Sequence, residues 1–114
     1  MSQDQIPQHY LTERAEHAEV FEALENLGRA VRAAGPIERK QAHLIQMAGA
    51  IAIGSEGATH SHIRRALEVG ATRSEILHAI LLLTCTLGYP TVSKALSWAE
   101  DVLRASSGQP APAA

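Results

Sequence analysis

The sequence predicts an all-α fold, and three observations carry that prediction. Apolar residues recur at three- and four-residue spacing through most of the chain, the period of one helix face. The periodic stretches are separated by helix-ending or helix-opening residues: Gly35-Pro36, Gly54, Gly70 and Gly88-Tyr89-Pro90. No stretch shows the sustained two-residue alternation of a half-buried strand.

A chain of 114 residues fits one domain. It can bury roughly two-thirds of the surface its unfolded form exposes. Apolar residues make up 46% of it but aromatic residues only 4%, so the core must come from Ala, Leu, Ile and Val. The net charge of −2, with no block of like charges, argues against nucleic acid, which needs a basic footprint. It argues equally against a basic helix lying on a membrane. No apolar run approaches the ~18 residues of a membrane span. The polar start Met1-Ser2-Gln3-Asp4-Gln5 lacks the features of a secretory signal, which points to a cytoplasmic protein. Cys85 is the only cysteine, so neither an intramolecular disulfide nor a cysteine-rich zinc site can form. Its apolar surroundings, 79–85, predict a buried, inert thiol.

The elements follow in order. Residues 1–11 carry Pro7 and no sustained period and read as an arm. Residues 12–105 read as a single helical domain. Thr12 suits a helix cap, with Glu13 and Glu16 in the first turn. Val20, Leu24, Leu27 and Val31 form the stripe of that helix to about Ala34. Pro36 is well placed to open a second helix over 37–53, which is almost wholly apolar beyond Ala42. A third begins near Ser55 or Glu56 and runs to Val69, before Gly70. Thr72-Arg73-Ser74-Glu75 is a capping box opening a fourth helix, 73–87, again apolar on nearly every face. A fifth covers 91–105, with the stripe Val92, Ala95, Leu96, Ala99, Val102 and Leu103. The segment 106–114, SSGQPAPAA, reads as a disordered tail. Five helices can enclose one all-apolar helix but not two, so a homo-oligomer is expected.

The chemistry concentrates in 54–76. The string from His62 to Ile76, His-x-x-x-Ala-Leu-x-x-Gly-Ala-Thr-x-x-Glu-Ile, resembles the central motif of the carboxymuconolactone decarboxylase and alkylhydroperoxidase-D-like superfamily. The resemblance extends over roughly Glu38 to Leu103. It implies a compact five-helix subunit assembling into trimers or hexamers. In the alkylhydroperoxidase-D-like branch a Cys-x-x-Cys pair precedes the motif histidine by four residues, and a glutamate on the preceding helix completes a proton relay. Here those positions hold Ser55 and Ala58, and the relay glutamate aligns with His43. The resemblance therefore implies a branch without thiol peroxidase chemistry, in which His62 is the acid–base group and the activity is of a decarboxylase or lyase type.

Read without the family, Ser55, Ala58 and His62 fall within about 60° of one another on a helix, and Glu56 and His60 within about 40°. His60 and His62 point about 200° apart, so one regular helix cannot aim both at one small ligand. Both histidines should flank the buried face, with Glu56 and Thr59 pointing into it. Glu56 in the first turn should stay ionised. Three readings compete. In the first, His60 and His62 are half-buried structural histidines. In the second, His62 is an acid–base group with Ser55 as hydrogen-bond donor and His43 or Glu56 as partner, acting on a small acidic or carbonyl substrate without a cofactor. In the third, Glu56, His60 and His43 bind a divalent metal such as zinc, iron or nickel, in a metal-binding or non-catalytic oligomer. His9 and His17 should face solvent, His78 could lie at a subunit contact, Arg64 and Arg65 should form a solvated face beside Glu68, and Trp98 should be a packing anchor.

Overall fold

A computed structural model describes residues 6–107; the first five residues of the arm and the tail segment 108–114 lie outside the described residues. The chain divides into two compact units, Met1–Ile37 and Glu38–Ala114, where the sequence reads as one domain from residue 12. Every described element is helical or a turn, so the class is all-α. Two of the expected helices are broken, and seven helices are described.

The first unit contains α1, Gln8–Glu16, and α2, Ala18–Ala33. The helix begins directly after Pro7, inside the segment read as an arm. Thr12 is therefore in mid-helix, donating from Oγ1 to the Gln8 carbonyl at 3.1 Å instead of capping. At His17 the backbone leaves helical geometry (φ −126°, ψ 48°). That break lets Phe21 meet Tyr10 edge to face with ring centroids 5.6 Å apart. An unbroken helix would separate them by roughly 16 Å along its axis. Arg14 and Glu25 pair between the same two helices. The α2 stripe is not a core face: Val20, Leu24, Leu27 and Val31 are all more than half exposed.

The second unit contains α3 (Arg39–Ala52), α4 (Glu56–Glu68), α5 (Arg73–Leu81), α6 (Thr84–Leu87) and α7 (Tyr89–Ser107). Helix α3 starts three residues after Pro36, with Glu38 at its N-terminal boundary and no side-chain cap. Its end is tightly specified. Gly54 takes φ +75°, its N–H reaching the Ile51 carbonyl and the Ser55 N–H the Ala50 carbonyl. These are the two bonds of a Schellman stop, which needs a left-handed residue where a Cβ would be strained. The same pair recurs where α4 stops at Gly70: Gly70 to Leu67 and Ala71 to Ala66. The capping box then forms as the sequence predicts. The Glu75 N–H donates to Thr72 Oγ1 at 3.1 Å and the Thr72 N–H to Glu75 Oε1 at 2.9 Å.

The core of this unit is aliphatic, centred on Met47, Ile51, Ile63, Ile76, Ile80 and Val92, all at most 1% exposed. Ala66, Ala95 and Ala99 are fully buried and let α4 and α7 approach closely. The fourth expected helix does not run through to Leu87. It stops at Leu81, and Thr84 Oγ1 donates back to the Leu81 carbonyl at 2.7 Å as the short α6 begins. The break redirects the apolar run, so Leu82 is 66% exposed and Cys85, expected to be buried, is exposed. Among the described residues no helix is long and apolar enough to cross a membrane.

Candidate functional site

Helices α3 and α4 are joined by only Ile53-Gly54-Ser55, and the two glycine-closed turns above fix where α4 begins and ends. Ser55 serves both helices. Its N–H closes α3, and its Oγ accepts from the Ala58 N–H at 3.2 Å, capping α4. Its carbonyl accepts the Thr59 hydroxyl at 2.7 Å, which satisfies that fully buried side chain. The hydroxyl assigned above to substrate thus has a structural task, and it touches Ala58, the other position where the resembled branch carries cysteine.

The hairpin brings His43 of α3 against His62 of α4. Their Nδ1 atoms lie 3.3 Å apart and their rings 5.5 Å apart, tilted by 36°. His43 is 2% exposed and His62 half-buried. With Nδ1 facing Nδ1, a hydrogen bond requires one ring to donate and the other to accept, so two neutral rings must hold opposite tautomers. The motif histidine and the residue at the relay-glutamate position are therefore direct neighbours.

The other two nominated residues lie elsewhere. His60, at 18% side-chain exposure, has Nε2 3.9 Å from Glu56 Oε2 and 3.8 Å from Asp101 Oδ2. Glu56 does not point into the core; its side chain is 56% exposed. Its Oε2 lies beside His60. The metal set Glu56, His60 and His43 does not assemble, because His43 faces His62 while Asp101 of α7 completes the group around His60. His60 and His62 point about 200° apart on α4, so one side of the helix faces α3 and the other faces α7.

Two residues escaped the sequence reading. Asp101 lay in an ordinary polar stretch of α7. Gln46, one turn along α3 from His43, has a buried Oε1 with no hydrogen-bond partner among the described residues. No local signal marks either. An open cleft lined by Leu67, Arg73, Glu100, Leu103 and Arg104 contains none of the nominated residues, and its charges are paired, Glu100 with both Arg73 and Arg104. His9, His17 and His78 are exposed, and Trp98 is half-buried beneath the Lys94 ammonium at 5.2 Å.

The fold and the histidine pair define an all-α protein with an interhelical imidazole pair flanked by a separate carboxylate–histidine cluster. Residues 18–101 match the carboxymuconolactone decarboxylase family, from the start of α2 to near the end of α7, and the chain belongs to that family. Neither a curated protein nor a solved structure matches it.

Proposed function

We propose that the protein is a cysteine-independent, carboxymuconolactone-decarboxylase-like enzyme of the lyase type, in which His62 transfers the proton and His43 positions it. The observation that carries this reading is the 3.3 Å approach of the two Nδ1 atoms. If His62 donates its Nδ1–H to the Nδ1 lone pair of His43, its opposite nitrogen Nε2 is a base. Once Nε2 is protonated, the bond to His43 becomes charge-assisted and stabilises the imidazolium. His43 then does what an orienting carboxylate does in other acid–base pairs, with less electrostatic force because it is neutral.

A small acid whose carboxylate sits on a saturated carbon, β to a carbonyl or one double bond further along from it, fits this equipment. The bond to the carboxyl carbon breaks, its electron pair moves onto the conjugated system, and CO2 leaves. The His62 imidazolium delivers its proton to carbon, and solvent returns one to Nε2. No cofactor enters this cycle, and Ser55 contributes by holding the start of α4. Glu56, turned towards His60, has no part in it.

A homo-oligomer, trimer or hexamer, is part of the same reading. Its support is the uncovered apolar surface on helices that the sequence makes hydrophobic: Ile45 57%, Ile53 81% and Leu82 66% exposed. A cytoplasmic location suits the single exposed thiol, which stays reduced there. The deciding experiment measures CO2 release from carboxymuconolactone and related small unsaturated acids, with chelator present, for the protein and its His62→Gln variant. Turnover that disappears in His62→Gln supports the reading; turnover that survives the substitution ends it.

A further inference from the structure

We propose that Glu56, His60 and Asp101 form a site for a divalent first-row transition cation, with zinc as the natural probe, which clips α4 to α7 independently of the histidine pair. One ligand atom from each residue can be taken so that all three lie within 4.8 Å of one another. Nε2 of His60 is buried and makes no hydrogen bond among the described residues. It stands 3.9 Å from Glu56 Oε2 and 3.8 Å from Asp101 Oδ2, beyond hydrogen-bond range of both. An imidazole N–H satisfied by either carboxylate would be drawn to about 2.8 Å.

The spacing suits a shared ion better. A tetrahedral cation about 2.1 Å from each ligand sets the ligand atoms roughly 3.4 Å apart. The ligand atoms already lie within 4.8 Å of one another, and the two carboxylates that would close on the ion are exposed side chains. Charge points the same way. Two carboxylates and a neutral imidazole balance a divalent ion, whereas a proton on His60 leaves one negative charge over. Arg73 and Arg104 both pair with Glu100, so among the described residues the ion-pair partner of Asp101 is His60. One nitrogen and two carboxylate oxygens favour zinc and its neighbours over magnesium or calcium, which prefer all-oxygen shells. The ion would retain open positions for water.

Helices α4 and α7 pack through the fully buried Ala66, Ala95 and Ala99, and an ion held by both stabilises the folded unit by mass action. Zinc, then cobalt, is titrated into full-length, tag-free, metal-stripped protein by calorimetry and cobalt absorption, with melting followed in parallel. Asp101→Asn is the principal variant, because its exposed side chain tolerates the change; His60→Gln is the second, and Cys85→Ser and His43→Gln are controls. The expected result is one ion per chain and a Tm higher by at least about 5 °C at saturating zinc. Asp101→Asn and His60→Gln should weaken binding tenfold or more with their metal-free melting unchanged, and the two controls should bind as the parent does. No stoichiometric binding, binding unaffected by Asp101→Asn, or binding abolished by Cys85→Ser or His43→Gln would overturn the assignment.

Discussion

His43 Nδ1 and His62 Nδ1 face each other at 3.3 Å from two different helices, with the more buried ring behind the more accessible one. In the function proposed above, that order makes His62 the proton donor and His43 its positioner. It makes their substitutions inequivalent. His62→Gln keeps size and hydrogen bonding and removes proton transfer, so activity should fall by roughly two to four powers of ten with folding intact. His43→Gln leaves the proton carrier but loosens its orientation, and should cost about a hundredfold, in kcat with KM nearly unchanged. Equal losses in both parameters for His43→Gln would show that His43 contacts substrate directly.

Assembly is read from mass. The exposed Ile45, Ile53 and Leu82 in the second unit, and the α2 stripe in the first, present apolar surface that a lone chain leaves to water. Light scattering at micromolar concentration should return a multiple of 12.2 kDa, three or six for the trimer or hexamer. Ile45→Glu or Leu82→Glu should lower that multiple. A monodisperse monomer contradicts the proposed assembly.

Thiol peroxidase chemistry should be absent. Ser55 and Ala58 occupy the positions where the resembled branch has cysteine, and a serine hydroxyl ionises negligibly near neutral pH. The lone exposed Cys85 has no resolving partner in the chain. Peroxide consumption with a dithiol reductant should match the buffer control. Turnover that vanishes on alkylating Cys85 would move the redox centre to α6.

The α3–α5 connection has a pH signature. Lys40 Nζ donates to Glu75 Oε2 at 2.9 Å, and this bond, with the capping-box bond from the Thr72 backbone, holds the Glu75 carboxyl below its usual range. A depressed folded value means stability that is fully present above the unfolded pKa, about 4.3 for glutamate. It is lost as pH falls through the lower folded value. Glu75→Gln retains a capping side chain but not the charge. Its urea midpoint should lie below that of the parent protein at pH 7, and the gap should close under acid conditions. A gap that persists at low pH would assign the effect to packing. Separately, Thr72→Ala should cost about 1 kcal/mol through the lost cap.

The helix boundaries most legible in the sequence are those written in local hydrogen bonds. Gly54 and Gly70 mark left-handed stops, Ser55 and Thr72 supply cap oxygens, and Glu75 returns the second bond of the box; each acts within six residues of its partner. The breaks at His17 and Leu82-Leu83 carry no such marker. One accompanies the contact of Tyr10 with Phe21 and the other the short α6 ahead of α7, and neither arrangement is visible to a local pattern. The mistaken burial of Cys85 follows from the second break.

The sequence by itself determined that the chain is helical, where α4 and α5 start, that His60 and His62 serve opposite sides of one helix, and the family to which the motif belongs. Those properties depend on backbone geometry and on residue types a few positions apart, which the chain carries in any environment. Tertiary structure decided between His43 and Glu56 as the neighbour of His62, and it alone supplied Asp101 for His60. His43 lies on the helix before α4 and Asp101 on the last helix, and the packing of α3 and α7 against α4 delivers one to His62 and the other to His60. A side chain's partner across a helix interface depends on crossing geometry and on which small residues let the backbones approach, and no spacing rule along a single chain encodes that.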